Sequence, residues 1–210
     1  MDTLLYILLA FVIGFALGRG HYRAYAFQNR GEVRLSRATK EHFLPPDYHL
    51  MNHITLQLGD GTTEVDHILV SRFGVFVIET KDYKGWIFAN VNQASWTQVL
   101  FKQKFKFQNP IFQNLRHVRA VQELLDFLPS GIIKSVVVFT GEAKFKTEVP
   151  HGVFSLSGFV DHVHEQAVEV MSLNRVRFCV GRIETARLAI TRETDIEHVQ
   201  NLERRHGSAA

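Results

Sequence analysis

A carboxylate and an amine stand two residues apart at the end of an apolar run, in the stretch GVFVIETK at residues 74–81. Alternate side chains along a strand share a face, so Glu79 and Lys81 lie on the same side of this predicted strand. Burial of charge in a core is costly unless the charge is paired. The pattern therefore indicates a functional site at the end of a rigid strand.

The preceding predicted strand adds two more acidic residues, because Glu64 and Asp66 share one of its faces. If the turn between the two strands is tight, Asp66 lies opposite Glu79, and Glu64 lies opposite Lys81. Cross-strand partners have Cβ atoms about 4.5–5.5 Å apart. A bulge at the turn would shift this register by one residue.

Two carboxylates at that separation repel each other, and a hard divalent cation removes the conflict. Mg²⁺ takes oxygen ligands, commonly one or two carboxylates with water and substrate phosphate. An amine such as that of Lys81 could hold an attacking water or offset charge on a phosphoryl oxygen. This combination suits phosphodiester hydrolysis. The alternative is an exposed strand end whose charges form only a solvated cluster.

Composition restricts the class of protein without naming a function. The 210 residues are 46% hydrophobic and 21% charged, as in a folded domain. A formal net charge of +3 permits a nucleic-acid partner but is not evidence for one. The single cysteine, Cys179, excludes an internal disulfide framework and is predicted to be a buried, inert thiol. Walker, dinucleotide-binding and nucleophile-elbow motifs are absent from the sequence.

The N-terminus differs from the rest of the chain. Residues 4–17 are uncharged and apolar, and basic residues follow at Arg19, His21 and Arg23. This pattern predicts a single transmembrane helix within residues 1–23, with residues 24–210 on the cytoplasmic side of the inner membrane. A cleaved signal peptide and a buried helix are the alternatives.

Periodicity predicts an α/β or α+β fold, in which helices flank a central mixed sheet. Turn signals at Gly59 and Gly74 separate the strands of antiparallel hairpins. The predicted helices cover residues 24–42, 110–128, 157–170 and 195–205. The predicted strands cover residues 54–58, 62–70, 75–81, 86–91, 96–100, 132–140 and 153–156.

The segment FKQKFKFQNP, at residues 101–110, alternates basic and aromatic side chains. Basic charge with aromatic stacking is a common way of holding single-stranded nucleic acid. The alternative is a half-buried strand with a solvated lysine face. The residues concerned are Lys102, Lys104 and Lys106 with Phe101, Phe105 and Phe107.

The stretch TEVDHILVSRFGVFVIETKDYKGWI, residues 63–87, closely resembles the core of the nuclease-related domain (NERD) family. The resemblance continues into Trp96 and NPIFQNLRHV, reaches back to Gly31-Glu32, and covers roughly residues 28–140. It implies a PD-(D/E)xK, restriction-endonuclease-like fold. The proline of that motif name is Val65 here, and it is not required chemically.

The resemblance also implies roles for individual residues. Asp66 and Glu79 would be metal ligands, and Lys81 would be the catalytic lysine. Glu32 and Gln113 match positions that complete or face such sites. His117 matches the family pattern too, either as a substrate contact or as a structural hydrogen-bonding group.

The main hypothesis is therefore a membrane-anchored endonuclease that requires Mg²⁺ or Mn²⁺ and hydrolyses DNA or RNA, with DNA preferred. Lys102, Lys104, Lys106 and His117 would contact the substrate. A second hypothesis is a non-catalytic module that binds nucleic acid or protein at the inner membrane. A third is a metal-dependent phosphoesterase acting on a small substrate.

Overall fold

The computed structural model of the protein describes residues 29–59 and 61–189. The strands of these ranges are β1 (Tyr48–Leu58), β2 (Gly61–Ser71), β3 (Gly74–Lys81), β4 (Gly85–Phe88), β5 (Ser95–Leu100), β6 (Gln103–Gln108), β7 (Ile133–Phe139), β8 (Ala143–Phe145) and β9 (Val153–Ser155). The helices are α1 (Arg30–His42), α2 (Pro110–Leu124), α3 (Leu156–His164) and α4 (Leu173–Ala186), and a 3₁₀ turn spans Ser130–Ile132.

The first sheet has the strand order β1-β2-β3-β7-β9. Its first three strands are antiparallel, and β3, β7 and β9 run parallel to one another. The β2–β3 ladder pairs Ser71 with Gly74 and His67 with Ile78, which is the register that a tight turn predicts. The mixed α+β class and this hairpin register are thus confirmed.

A second sheet, with the order β6-β5-β4-β8, corrects the prediction of a single central sheet. Two short connections, at residues 82–84 and 140–142, lead from the parallel pair β3–β7 into the parallel pair β4–β8. These connections pass very close to each other, since a Cβ added at Gly141 would lie 2.2 Å from the carbonyl oxygen of Tyr83. This crossing is where the second sheet separates from the first.

Helices cover both faces of the first sheet, as predicted. Strand β3 is buried on both sides, because Val75 and Val77 pack in the cluster that contains residues of α2 and α4. Phe76 and Ile78 pack in the cluster that contains residues of α1 and α3. Alternation along the strand therefore places Glu79 and Lys81 on the α2 side.

Not every apolar residue of α2 packs against the sheet, because Leu115 is 52% exposed. Asn114 is buried instead. Its Nδ2 donates to the carbonyl oxygens of Val77 and Val136, at 2.9 and 3.0 Å. An amide that bonds both strands anchors the helix to β3 and β7 more specifically than an apolar side chain could.

Several other boundaries differ from the predicted ones, since strand β1 begins at Tyr48 rather than at residue 54. One helix and the short strand β8 were missed. Strand β4 ends at Phe88, and the predicted helices at 110–128 and 157–170 end at Leu124 and His164. Helix α4 contains the predicted buried thiol of Cys179, whose pKa is raised by burial. The spacing of Val176, Cys179 and Ile183, all buried, is helical, whereas the short apolar run alone did not reveal a helix.

Among the described residues, none of the helices is both long enough and apolar enough to cross a bilayer. The predicted anchor at residues 1–23 and the predicted helix at 195–205 lie outside the described ranges. Both stay predictions.

Candidate active site

The charged end of β3 lies where β2 stops pairing with it. The β2–β3 ladder ends at the pair His67–Ile78, one residue before Asp66 and Glu79. Strand β3 continues to pair with β7 as far as Lys81. Asp66 Oδ2 accepts a hydrogen bond from the backbone N–H of Thr80 at 2.7 Å. We call this point, defined by Asp66 and Glu79, the strand fork.

The ladder is also interrupted on the other side of Asp66. The β1–β2 pairs pass from Asn52–His67 to Ile54–Val65 and omit His53, whose φ is +52°. His53 Nδ1 lies 3.1 Å from Glu64 Oε1. The ladder thus ends before the predicted pair of Glu64 with Lys81, and Glu64 bonds His53 instead.

A chain of polar contacts links β3 to α2. Lys81 Nζ donates to Glu79 Oε1 at 2.6 Å and to Gln113 Oε1 at 3.0 Å. His117 Nε2 lies 3.1 Å from Glu79 Oε2, and its Nδ1 lies 2.7 Å from Thr63 Oγ1. Gln113 and His117 stand one helical turn apart on the same face of α2, which is why both reach β3. The structure therefore brings Gln113, His117, Glu79 and Lys81 together.

Glu32 reaches this region from the first turn of α1. Asn29 caps the helix, since its Oδ1 accepts from the backbone N–H groups of Gly31 and Glu32 at 2.9 and 3.1 Å, and its Nδ2 donates to Glu32 Oε1. A Cβ at Gly31 would lie 2.6 Å from Thr140 Oγ1 and 2.8 Å from Asp82 Cβ. Glycine thus lets α1 approach the ends of β3 and β7, and this approach positions Glu32.

The pKa values of the acidic residues of the site are shifted in different directions. Burial raises the pKa of Asp66 well above its ordinary value, and the charges of Glu79 and Glu32 raise it further. Burial likewise raises the pKa of Glu32 to about 7. Burial acts in the same direction on Glu79, but the hydrogen bond to His117 and the charge of Lys81 outweigh it, so the pKa of Glu79 is lowered. Lys81 and His117 therefore stabilise the ionised form of Glu79, whereas the surroundings of Asp66 and Glu32 disfavour their ionised forms.

This donor set fits a hard cation at the strand fork. Asp66 Oδ1 makes no hydrogen bond with the residues that the structure describes, and Glu79 presents its carboxylate from the adjacent strand. Two carboxylates completed by water and phosphate are what Mg²⁺ takes in proteins. In residues 29–59 and 61–189, no three His, Cys, Asp or Glu side chains form a complete metal-ligand group by themselves.

The raised pKa of Glu32 leads to a pH-dependent prediction. Because its pKa rises from 4.5 to about 7 on folding, the folded state holds the proton more tightly. Stability is therefore lost as the pH rises between these values. Without divalent cation, Glu32→Gln should increase the free energy of unfolding at pH 8 by about 1–2 kcal/mol, because solvent screens part of the carboxylate's charge. At pH 5 the gain should be much smaller.

Urea unfolding of the metal-free protein at pH 5 and pH 8 measures this effect. Glu41→Gln is the matched control, since Glu41 lies exposed in the last turn of the same helix. A Glu32→Gln variant that is less stable than the wild type at pH 8 would contradict the prediction.

The three predicted substrate-binding lysines belong to the second sheet and its β5–β6 turn, and none of them is a member of the strand fork. Lys104 and Lys106 share a face of β6, and Lys102 lies in the β5–β6 turn with φ of +67°. Phe107 is on the opposite face of β6 and contacts Trp96 and Tyr83, with ring centroids 6.1 and 4.7 Å away. The predicted alternation of basic and aromatic faces along this segment is present.

Three polar residues of the site region were not predicted. Thr63 bonds His117, Asn29 caps α1 beside Glu32, and Asn114 joins α2 to the sheet. Asn29 directly before a helical pattern is a cap signal that the sequence offers. Thr63 and Asn114 have no comparable local signal, because their roles depend on contacts between distant elements.

Comparison with known proteins adds to this geometry. The model of the nuclease-related domain family matches residues 28–140, and the chain belongs to this family. That membership suggests a nuclease-like function. An uncharacterised protein of Bacillus anthracis is 43% identical over 84 residues, which are 39% of this chain and 39% of that protein. The match thus spans well under half of the relative's length, and no solved structure matches the chain.

Proposed function

We propose that the protein is a membrane-anchored, Mg²⁺-dependent nuclease that hydrolyses phosphodiester bonds in nucleic acid, with DNA preferred over RNA and Mn²⁺ able to replace Mg²⁺. The observation that carries the proposal is the convergence of Asp66, Glu79 and Lys81 at the strand fork, with Glu32 beside them. We assign the fold to the restriction-endonuclease-like PD-(D/E)xK class on the same basis.

Asp66 and Glu79 are the residues that would hold the cation. Asp66 is the stronger candidate, because its carboxylate is bonded to one backbone N–H and has no cationic side chain within the hydrogen-bonded set. When bound, a divalent cation polarises the phosphoryl group and lowers the pKa of a bound water. Glu32 would bind the cation's water shell, because the charges of Glu64 and Glu79 act on it in addition to burial, and all three raise its pKa.

Lys81 has the position of a group that orients water or stabilises charge on a phosphoryl oxygen. Its side chain is 16% exposed, so the amine reaches the surface while Glu79 beneath it is almost fully buried. Gln113 holds the amine from α2 at 3.0 Å. His117 holds the second oxygen of Glu79, so the carboxylate and the amine are fixed before substrate arrives.

The test is cleavage by the full-length chain in detergent micelles. Labelled single-stranded and double-stranded DNA and RNA are each incubated with Mg²⁺, with Mn²⁺ and with chelator. Cation-dependent cleavage of at least one of these substrates supports the proposal. If no substrate is cut under any of these conditions, the nuclease proposal fails.

A further inference from the structure

The second sheet has one buried face and one exposed face. Its buried face contributes Ile87, Phe107 and Phe145 to an apolar cluster with Trp96. Since side chains alternate along strands, the neighbours of these residues point the other way. The exposed face carries two aromatic residues on β4, two lysines on β6, and two lysines in or directly after β8. We call this set the basic platform; it comprises Trp86, Phe88, Lys104, Lys106, Lys144 and Lys146.

Strand pairing arranges the basic platform in two rows. The pairs Trp86–Val99, Val99–Lys104 and Trp86–Lys144 place the indole between two lysines. The pairs Phe88–Thr97 and Thr97–Lys106 form the second row. Lys146 follows β8 directly, and its Nζ lies 4.6 Å from the centre of the Trp86 ring.

The exposure and charge of this face are unusual for a surface with no partner. Trp86 is 49% exposed and Phe88 is 39% exposed, and all four lysines are exposed. Within the four described strands of the sheet there is no Asp or Glu, and the nearest acids along β8, Glu142 and Glu148, lie beyond its ends. Two exposed aromatic rings among uncompensated cations indicate a binding surface for an anionic ligand with flat apolar groups.

A single strand of nucleic acid offers that combination. Its phosphates pair with lysines, and its unpaired bases can stack on aromatic rings. A duplex matches less well, because its bases already stack on one another and expose only their edges in the grooves. An anionic membrane surface would satisfy the lysines, but the β5 members of the two rows, Thr97 and Val99, provide little apolar surface for insertion.

The basic platform is also close to the strand fork. Strand β4 begins four residues after Lys81, so Trp86 lies no more than about 18 Å from it along the chain. We propose that the basic platform binds single-stranded nucleic acid and delivers it to the strand fork. Delivery to the strand fork rests on the proposed nuclease function. Binding of the single strand to the basic platform requires no cleavage.

The test measures binding of fluorescently labelled oligo-thymidine to the full-length chain in micelles, with chelator present so that no metal-dependent cleavage occurs. Removing both rings, in Trp86→Ala with Phe88→Ala, should weaken binding at least tenfold, as is typical of lost base stacking. Replacing two exposed lysines, in Lys104→Gln with Lys106→Gln, should lower the slope of log affinity against log salt by about 1.4. Because the replaced lysines are exposed, the lysine variant still tests the inference if the aromatic variant fails to fold.

The matched control is Arg177→Gln with Phe178→Ala, which removes one basic and one aromatic side chain from exposed positions of α4. Phe178 is 55% exposed, and α4 packs on the first sheet rather than the second, so binding should change less than twofold. Equal losses in the control and platform variants would overturn the inference, and so would tighter binding to duplex DNA. It would also be overturned if the platform variants lost affinity only for phosphatidylserine-containing vesicles. A chain that binds oligo-thymidine but cuts nothing would retain this inference and refute the proposed nuclease.

Discussion

Asp66→Asn should make the metal-free protein more stable and the protein with Mg²⁺ no more stable than without it. Ionised Asp66 is destabilising in the fold, because burial and the charges of Glu79 and Glu32 raise its pKa. Asparagine keeps an oxygen that can accept from Thr80 N–H and removes the charge. At pH 8 the melting temperature should rise by a few degrees, since about 1 kcal/mol corresponds to roughly 2–4 °C in a chain of this size.

The second half of this prediction concerns the cation. At a hundredfold excess over its Kd, a cation that binds only the folded wild type adds about 2.7 kcal/mol of stability. Differential scanning calorimetry at pH 8, with and without Mg²⁺, should show this increase in the wild type and not in Asp66→Asn. Asp126→Asn, which changes an exposed aspartate, should behave like the wild type. An Asp66→Asn variant that is still stabilised by Mg²⁺ would remove Asp66 from the metal site.

Lys81→Met should damage both stability and activity. The amine is 2.6 Å from a carboxylate oxygen of Glu79, whose side chain is only 2% exposed. Removing one partner of a buried ion pair leaves an uncompensated charge, which costs about 3–5 kcal/mol. Methionine keeps much of the aliphatic length, so the loss measured by urea unfolding in chelator should come mainly from the charge.

Two further variants separate these effects. Lys84→Met, at an exposed position three residues along the chain, should leave stability and cleavage close to wild type. The double variant Lys81→Met with Glu79→Gln should recover most of the lost stability, because both charges are gone. Cleavage should stay at least about a hundredfold below wild type in that double variant. Because the double variant lacks both groups, recovery of cleavage together with stability would contradict a catalytic role for Lys81 and a metal-ligand role for Glu79.

The β2–β3 hairpin was predictable because its information is local. An apolar run, a tight turn and side-chain alternation determine the register, and the register brings Asp66 to the fork beside Glu79. The sequence could not predict that the ladder stops at that point. The stop depends on Asp66 accepting from Thr80 N–H and on the backbone of His53 leaving the β1 ladder.

The second sheet was not predictable by the same reasoning. Strands β4 and β5 were predicted at residues 86–91 and 96–100, but β8 has only three residues, which are too few for a periodic pattern to be recognised. The lysines of β6 could be identified, but the sequence associates them with the phenylalanines beside them. Pairing through β5 instead brings Lys104 and Lys106 onto the face of Trp86 and Phe88.

Among the site residues contributed by distant elements, some were expected from the sequence and others were not. Glu32 and Gln113 were expected only because the sequence resembles a known family, and the structure places Gln113 on Lys81 and Glu32 at the capped start of α1. Thr63 and Asn114 are ordinary polar residues in the sequence. They gain roles when α2 packs against the sheet and brings them to His117 and to the carbonyls of β3 and β7.

The most direct single measurement is the cleavage of labelled single-stranded DNA by the full-length wild type and by Asp66→Asn, each with Mg²⁺ and with chelator. We expect cleavage only by the wild type with Mg²⁺, and a rate at least about a thousandfold lower in the variant. Cleavage that persists in chelator, or that Asp66→Asn performs at the wild-type rate, would contradict a metal-dependent hydrolytic site at the strand fork.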